Sequence, residues 1–184
     1  MGPFFLILMI VLASGCAQTK PTDSQALKPS AASALIDKQR EQAKNAKSRV
    51  KASVHTVVHR LTKQLGKPYV RGGVSPKRGF DCSGLVYYAY NKVLNRKLPR
   101  TTHAMFRDKG LKRIDIANLR RGDLVFFRSK SRGPADHVGV YLGDDTFIEA
   151  PRTGLNIRIS NFLADYWQDH YLGARRILTN EAIQ

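Results

Sequence analysis

Cysteine is almost absent from this chain: Cys16 and Cys82 are the only two. No Cys/His cluster suggests zinc, and His55, His59 and His170 have no partners at metal-ligand spacing, so neither a metal nor a cofactor is expected. Acidic residues are scarce as well, 14 against 31 lysines and arginines, a net charge of +17. That imbalance favours anionic partners, whether nucleic acid, anionic lipid or an acidic polymer, without choosing among them. There is no internal repeat. No apolar run reaches the ~20 residues that a membrane-crossing helix needs. Gly72-Gly73 lacks both the G-x-G-x-x-G pattern and a preceding strand, which argues against nucleotide binding. The Tyr87, Tyr88 and Tyr90 cluster reads as helix packing rather than a stacking platform for nucleic acid. The 184 residues suffice for one domain with extensions.

The first stretch is apolar until small residues lead into Cys16, as in the hydrophobic region of an export signal. Ala13-Ser14-Gly15-Cys16 resembles the bacterial lipoprotein signal, which implies cleavage before Cys16 and a diacylglycerol on its thiol. Two features depart from that pattern: no Lys or Arg precedes the apolar run, and Ala13 stands where Leu is commoner. By the same resemblance, Ala17 after the cysteine, rather than Asp, permits sorting to an outer membrane. The expected division is a signal over 1–15, a lipid-anchored flexible or partly helical tether over 16–50, and a folded domain over 51–184. Residues 17–50 hold no aromatic side chain and cannot build a core. From Ala31 onward the tether lacks Gly and Pro, so it can also be helical. With Cys16 acylated, Cys82 has no disulfide partner. In an oxidising envelope compartment such a lone thiol is better explained by reactivity than by stapling.

Within the domain, Val54, Val57, Val58, Leu61 and Leu65 mark an amphipathic helix that stops at Gly66. A turn-rich loop runs to Phe80. Asp81 then caps a second helix, and a short one follows over Thr101–Gly110. Leu124–Phe127, Val138–Leu142, Thr146–Ala150, Leu155–Ile159 and Leu172–Leu178 read as short strands. Helices first and an antiparallel sheet after give an α+β fold.

Asp81-Cys-Ser-Gly-Leu-Val86 is the most informative stretch, because it sets Cys82 in the first turn of a helix. There the unpaired N–H groups and the positive end of the helix dipole favour thiolate over thiol. A buried packing cysteine is the bland alternative. A thiolate attacking an amide needs a base, a group to orient that base, and oxyanion donors. His137 opens one strand, and Glu149 sits on the next. A hairpin turning at Gly143-Asp144-Asp145 would make them near neighbours, with the carboxylate fixing the imidazole tautomer.

Pro68-Tyr69, Gly72-Gly73, Gly79-Phe-Asp-Cys-Ser-Gly-Leu-Val86, Leu98-Pro99-Arg100-Thr101, Arg121-Gly-Asp-Leu-Val-Phe-Phe127, His137-Val-Gly-Val-Tyr-Leu-Gly143 and Tyr171-Leu-Gly-Ala-Arg-Arg176 together resemble the NlpC/P60 family. The likeness runs in order from about Val54 to Ile177. It implies a papain-like domain, with N-terminal helices packed on a short-stranded antiparallel sheet, and a cysteine peptidase acting on peptidoglycan stems. The bond that it implies lies between γ-D-glutamate and a diamino acid. Carried over residue by residue, Cys82 is the nucleophile, His137 the general base, and Glu149 falls where the orienting residue sits, a position more often His. Tyr69 matches an oxyanion-assisting tyrosine beside the Cys82 N–H. Asp81 and Ser83 match positions that line the substrate cleft, although Asp81 also serves as the helix cap.

The partners implied are peptidoglycan and a membrane reached through the lipid on Cys16, on the periplasmic face of the outer membrane, with any envelope regulator unidentified. Alternatives are an amidase or acyltransferase on the same fold, or a non-catalytic peptidoglycan-binding lipoprotein, which has no need of both Cys82 and His137. Nucleic-acid binding rests on charge alone and contradicts the export signal.

Overall fold

The computed structural model describes residues 31–129 and 132–184. The proposed signal over 1–15, the Cys16 anchor and the first half of the tether lie outside the described residues. Helix α1 spans Ala31–Thr62 without interruption. Of the coil and the helix left open for the stretch from Ala31, the structure has the helix. Its outer part is solvent-exposed, with Leu35 and Ile36 uncovered, whereas Val57, Val58 and Leu61 are buried. Gly66 follows at φ 78°, a backbone conformation that glycine adopts without a Cβ penalty.

The glycine-rich loop carries a small hairpin, β1 (Val74–Ser75) and β2 (Gly79–Phe80), which the sequence reading took as loop throughout. Helix α2 (Cys82–Tyr90) follows directly. The Asp81 carboxylate accepts from the Gly84 N–H at 2.6 Å, satisfying one of the donors a helix start leaves open. A Cβ on Gly84 would run into the Gly73 carbonyl oxygen. The loop therefore lies directly on the first turn of α2. Helix α3 (Thr102–Arg107) is capped by Thr101, whose hydroxyl accepts from the Ala104 N–H.

Six antiparallel strands complete the domain: β3 (Lys112–Ile114), β4 (Leu124–Phe127), β5 (His137–Gly143), β6 (Thr146–Glu149), β7 (Arg158–Asn161) and β8 (Tyr171–Arg176). Their order across the sheet is β3-β8-β4-β5-β6-β7. Strand β3 and helix α4 (Asp165–His170) were not expected. Strand β7 begins three residues later than the Leu155–Ile159 reading, because Leu155 to Ile157 instead bond back to the loop at Tyr69 and Lys67. The β5–β6 turn places Gly143, Asp144 and Asp145 all at positive φ, as a tight hairpin demands of turn-forming residues.

Strand alternation sends side chains to two layers. Leu124, Phe126, Val138, Val140 and Ile148 pack with Leu85, Val86 and Ala89 of α2 and with Val57 and Leu61 of α1. On the other face Val125, Phe127, Phe147 and Ala174 pack with Phe162, Trp167 and Tyr171. The catalytic candidates meet where α2 abuts the start of β5, between these layers. This is an α+β domain with helices first and an antiparallel sheet after.

Candidate active site

Cys82 is the first residue of α2 and is 9% exposed. Its N–H thus belongs to the first-turn donors without an intrahelical acceptor. The sulfur lies 3.5 Å from the Thr102 hydroxyl, and Cys82 and His137 border the same cleft. The sulfur also lies 3.9 Å from the Asp136 carbonyl. Burial pushes the thiol up, but the hydrogen bond and charge of His137, helped by Thr102, outweigh it and leave the pKa below the ordinary cysteine value.

His137 opens β5 and presents Nε2 to Oε2 of Glu149 at 2.7 Å. In the register that sets Val140 opposite Ile148, Glu149 falls across from Gly139, two residues along from His137. The pair is diagonal rather than directly opposite. Gly139 lets the Phe147 ring lie close against β5: a Cβ there would collide with it. The imidazole stacks on the Trp167 indole, centroids 5.4 Å apart and planes 23° from parallel. Burial lowers the imidazole's affinity for a proton, while hydrogen bonds and charge from Cys82 and Glu149 raise it to a net pKa of about 9.

Glu149 has no exposed surface, and an unpaired carboxylate there would be costly. Its Oε1 accepts from Ser160 Oγ at 2.6 Å and from Arg158 Nε at 3.0 Å. Burial favours the neutral acid, but His137 first, then Ser160 and Arg158, hold the pKa below the usual value. All three shifts run toward the charged forms: imidazolium, thiolate and carboxylate.

Tyr69 borders the same cleft, half-buried. Burial first, then the charges of Cys82 and Asp81, raise its pKa, so it stays a phenol able to donate. Asp81 accepts from the N–H of Gly84 and of Gly72 and from Ser83 Oγ, and pairs with Arg100 at 2.9 Å. Ser83 is buried and accepts from Arg100. Both border a smaller space beside Cys82 together with Thr101, Thr102 and His103. His103 is thus at the cleft edge.

Around Cys82 the surface opens into a main cleft of about 860 Å³ and an adjoining one of about 290 Å³. Sequence reasoning missed Arg158, Ser160, Trp167, Thr102 and the cleft arginines Arg71 and Arg152. Arg100 was quoted within Leu98-Pro99-Arg100-Thr101 but given no role. Alternation from Glu149 across to β7 would have singled out Arg158, its register partner. No sequence signal brings Trp167 to His137. Among the described residues, no group of three His, Cys, Asp or Glu side chains could hold a metal ion.

A thiol, an imidazole bonded to a buried carboxylate, and a phenol thus gather at one open cleft, the set of groups that nucleophilic attack on an amide requires. The NlpC/P60 family model matches residues 66–176. The chain is 61% identical over 126 residues to the probable endopeptidase YafL of Escherichia coli K12, covering 68% of this chain and 51% of that protein. It is 48% identical over 138 residues to the murein DD-endopeptidase MepH of the same strain, covering 75% and 51%. The chain thus spans about half the length of the curated relatives that it matches. An NlpC/P60 family protein from Bacillus cereus superposes with a TM-score of 0.61 at 30% identity, over 68% of this chain and 40% of that one.

Proposed function

The chain belongs to the NlpC/P60 family, and we propose that it is a peptidoglycan endopeptidase that cuts stem-peptide amides through a thioester on Cys82. The observation that carries the reading is that Cys82 and His137 border one open cleft, with the buried Glu149 carboxylate bonded to His137 behind it. The relatives named endopeptidase support the substrate class.

The Cys82 thiolate attacks the scissile carbonyl carbon, and the oxyanion that forms accepts from the Cys82 N–H and the Tyr69 hydroxyl. The His137 imidazolium gives its proton to the departing amine as the C–N bond breaks, leaving an acyl thioester. Water then attacks that thioester and passes a proton to His137, and the thiolate departs to restore the ion pair. Glu149 stays ionised throughout and fixes the ring through Nε2.

For the bond, the MepH name at 48% identity favours one between two D-configured centres over the γ-D-glutamyl bond that the family resemblance implies. Anchoring through a lipid on Cys16, at the periplasmic face of the outer membrane, completes the proposal. Fatty-acid labelling lost in Cys16→Ser supports the anchor, and labelling that persists refutes it.

Digestion of purified sacculi tests the activity, with mass spectrometry of the released fragments. The protein should release D,D-cleaved fragments and Cys82→Ala none. Equal release by both would overturn the thioester reading, and γ-D-glutamyl ends would overturn the bond assignment.

A further inference from the structure

The two spaces beside Cys82 share Tyr69, Arg71, Cys82 and Asp136 but differ in charge. In the smaller one the Asp81 carboxylate is matched by Arg100. The larger one is bordered by Arg71, Arg152 and Arg158, all three exposed. Arg71 and Arg152 have no carboxylate partner among the described residues, where the ion pairs of this region are Arg100–Asp81, His137–Glu149 and Arg158–Glu149. Arg158 donates to Glu149 through Nε alone, sharing that carboxylate with His137. The remaining acid at the wall, Asp136, accepts from the Ser129 N–H and hydroxyl.

With the catalytic pair ionised, the formal charges that border this space are four cations (Arg71, Arg152, Arg158, His137) against two anions (Cys82, Asp136), with Glu149 buried behind His137. Tyr69, Leu155 and Trp167 form its apolar wall. Such walls reduce water around a guanidinium and strengthen its pairing. A guanidinium's planar fork matches a carboxylate in two-point contact.

We propose that this arginine-lined arm receives an ionised carboxylate of the substrate beside the scissile amide, so that the site selects stems bearing a free carboxylate there. The word substrate rests on the peptidase reading; the anion preference of the arm does not.

The test pairs two measurements on the full chain. In the first, Cys82 is alkylated with anionic iodoacetate and with neutral iodoacetamide, and the ratio of the two rates is taken, which cancels changes in the thiol's own reactivity. Arg71→Gln with Arg152→Gln should lower that ratio at least about threefold, the size expected of two exposed charge contacts. The corresponding lysine pair should restore most of it, and 0.5 M salt should compress the wild-type ratio. A ratio unmoved by the glutamine pair overturns the proposal.

In the second, KM is compared for stem peptides with a free and an amidated carboxylate. The glutamine pair should raise KM roughly fivefold for the free acid alone; equal change for both peptides overturns the carboxylate assignment. A protein that cuts no stem but keeps the alkylation ratio would defeat the peptidase reading and leave the anion-receiving arm standing.

Discussion

His137 Nε2 and Glu149 Oε2 lie 2.7 Å apart, a contact that ties the start of β5 to the end of β6. The contact does more than orient a ring. A wholly buried carboxylate beside the imidazole stabilises its charged form, and the imidazolium in turn stabilises a thiolate on the far side. Three groups on α2, β5 and β6 therefore share their protonation states.

Glu149→Gln keeps an acceptor for His137 but removes the charge. We expect kcat to fall about 10²-fold with stem affinity little changed, because Glu149 is buried and does not border the cleft. Steady-state kinetics beside equilibrium binding to the Cys82→Ala background separates the two effects. Undiminished turnover would mean that another group orients His137.

The pH profile follows from the shifts. Cys82 titrates below its ordinary value and His137 up to about 9, so the ion pair exists between those limits. As pH falls the thiolate is protonated and attack fails. As pH rises through about 9 the imidazolium loses the proton that the leaving amine needs. A bell-shaped kcat/KM with an alkaline limb near 9 is expected, and in Glu149→Gln that limb should move toward neutrality.

Ser160 donates to Glu149 Oε1 at 2.6 Å. Ser160→Ala leaves that buried oxygen with Arg158 alone and should cost about 1–3 kcal/mol. Denaturant unfolding measures it. Activity should drop by less than in Glu149→Gln, since the carboxylate charge remains.

Gly84→Ala would drive a methyl group into the Gly73 carbonyl, pushing the loop away from the start of α2. A loss of about 1–3 kcal/mol is expected, together with slower Cys82 alkylation as Asp81 loses its grip on the Gly84 N–H. Thermal unfolding and thiol labelling report the two effects separately.

Much of this was legible in the chain. The Asp81 cap, the place of Cys82 at the helix start and the hairpin joining His137 to Glu149 follow from local rules, because caps, turns and strand alternation act over a few residues. Residues supplied by distant segments were not legible. Trp167 reaches His137 only because α4 folds back over the second layer, and Arg158 reaches Glu149 only through the β6–β7 register. The exact pairing depends on a bulge between Tyr141 and Gly143, for which no local rule gives a signal. The helix from Ala31 stayed one of two alternatives because the outer half of α1 buries nothing that periodicity could report.

The claim on which the rest depends is that Cys82 is held as a thiolate by His137. Its most direct test is the rate of Cys82 alkylation by iodoacetamide at pH 6, where a free cysteine is almost wholly thiol. A rate at least about tenfold above that of free cysteine, lost in His137→Ala, is the predicted result. A rate no faster than free cysteine, or one indifferent to His137, would contradict it.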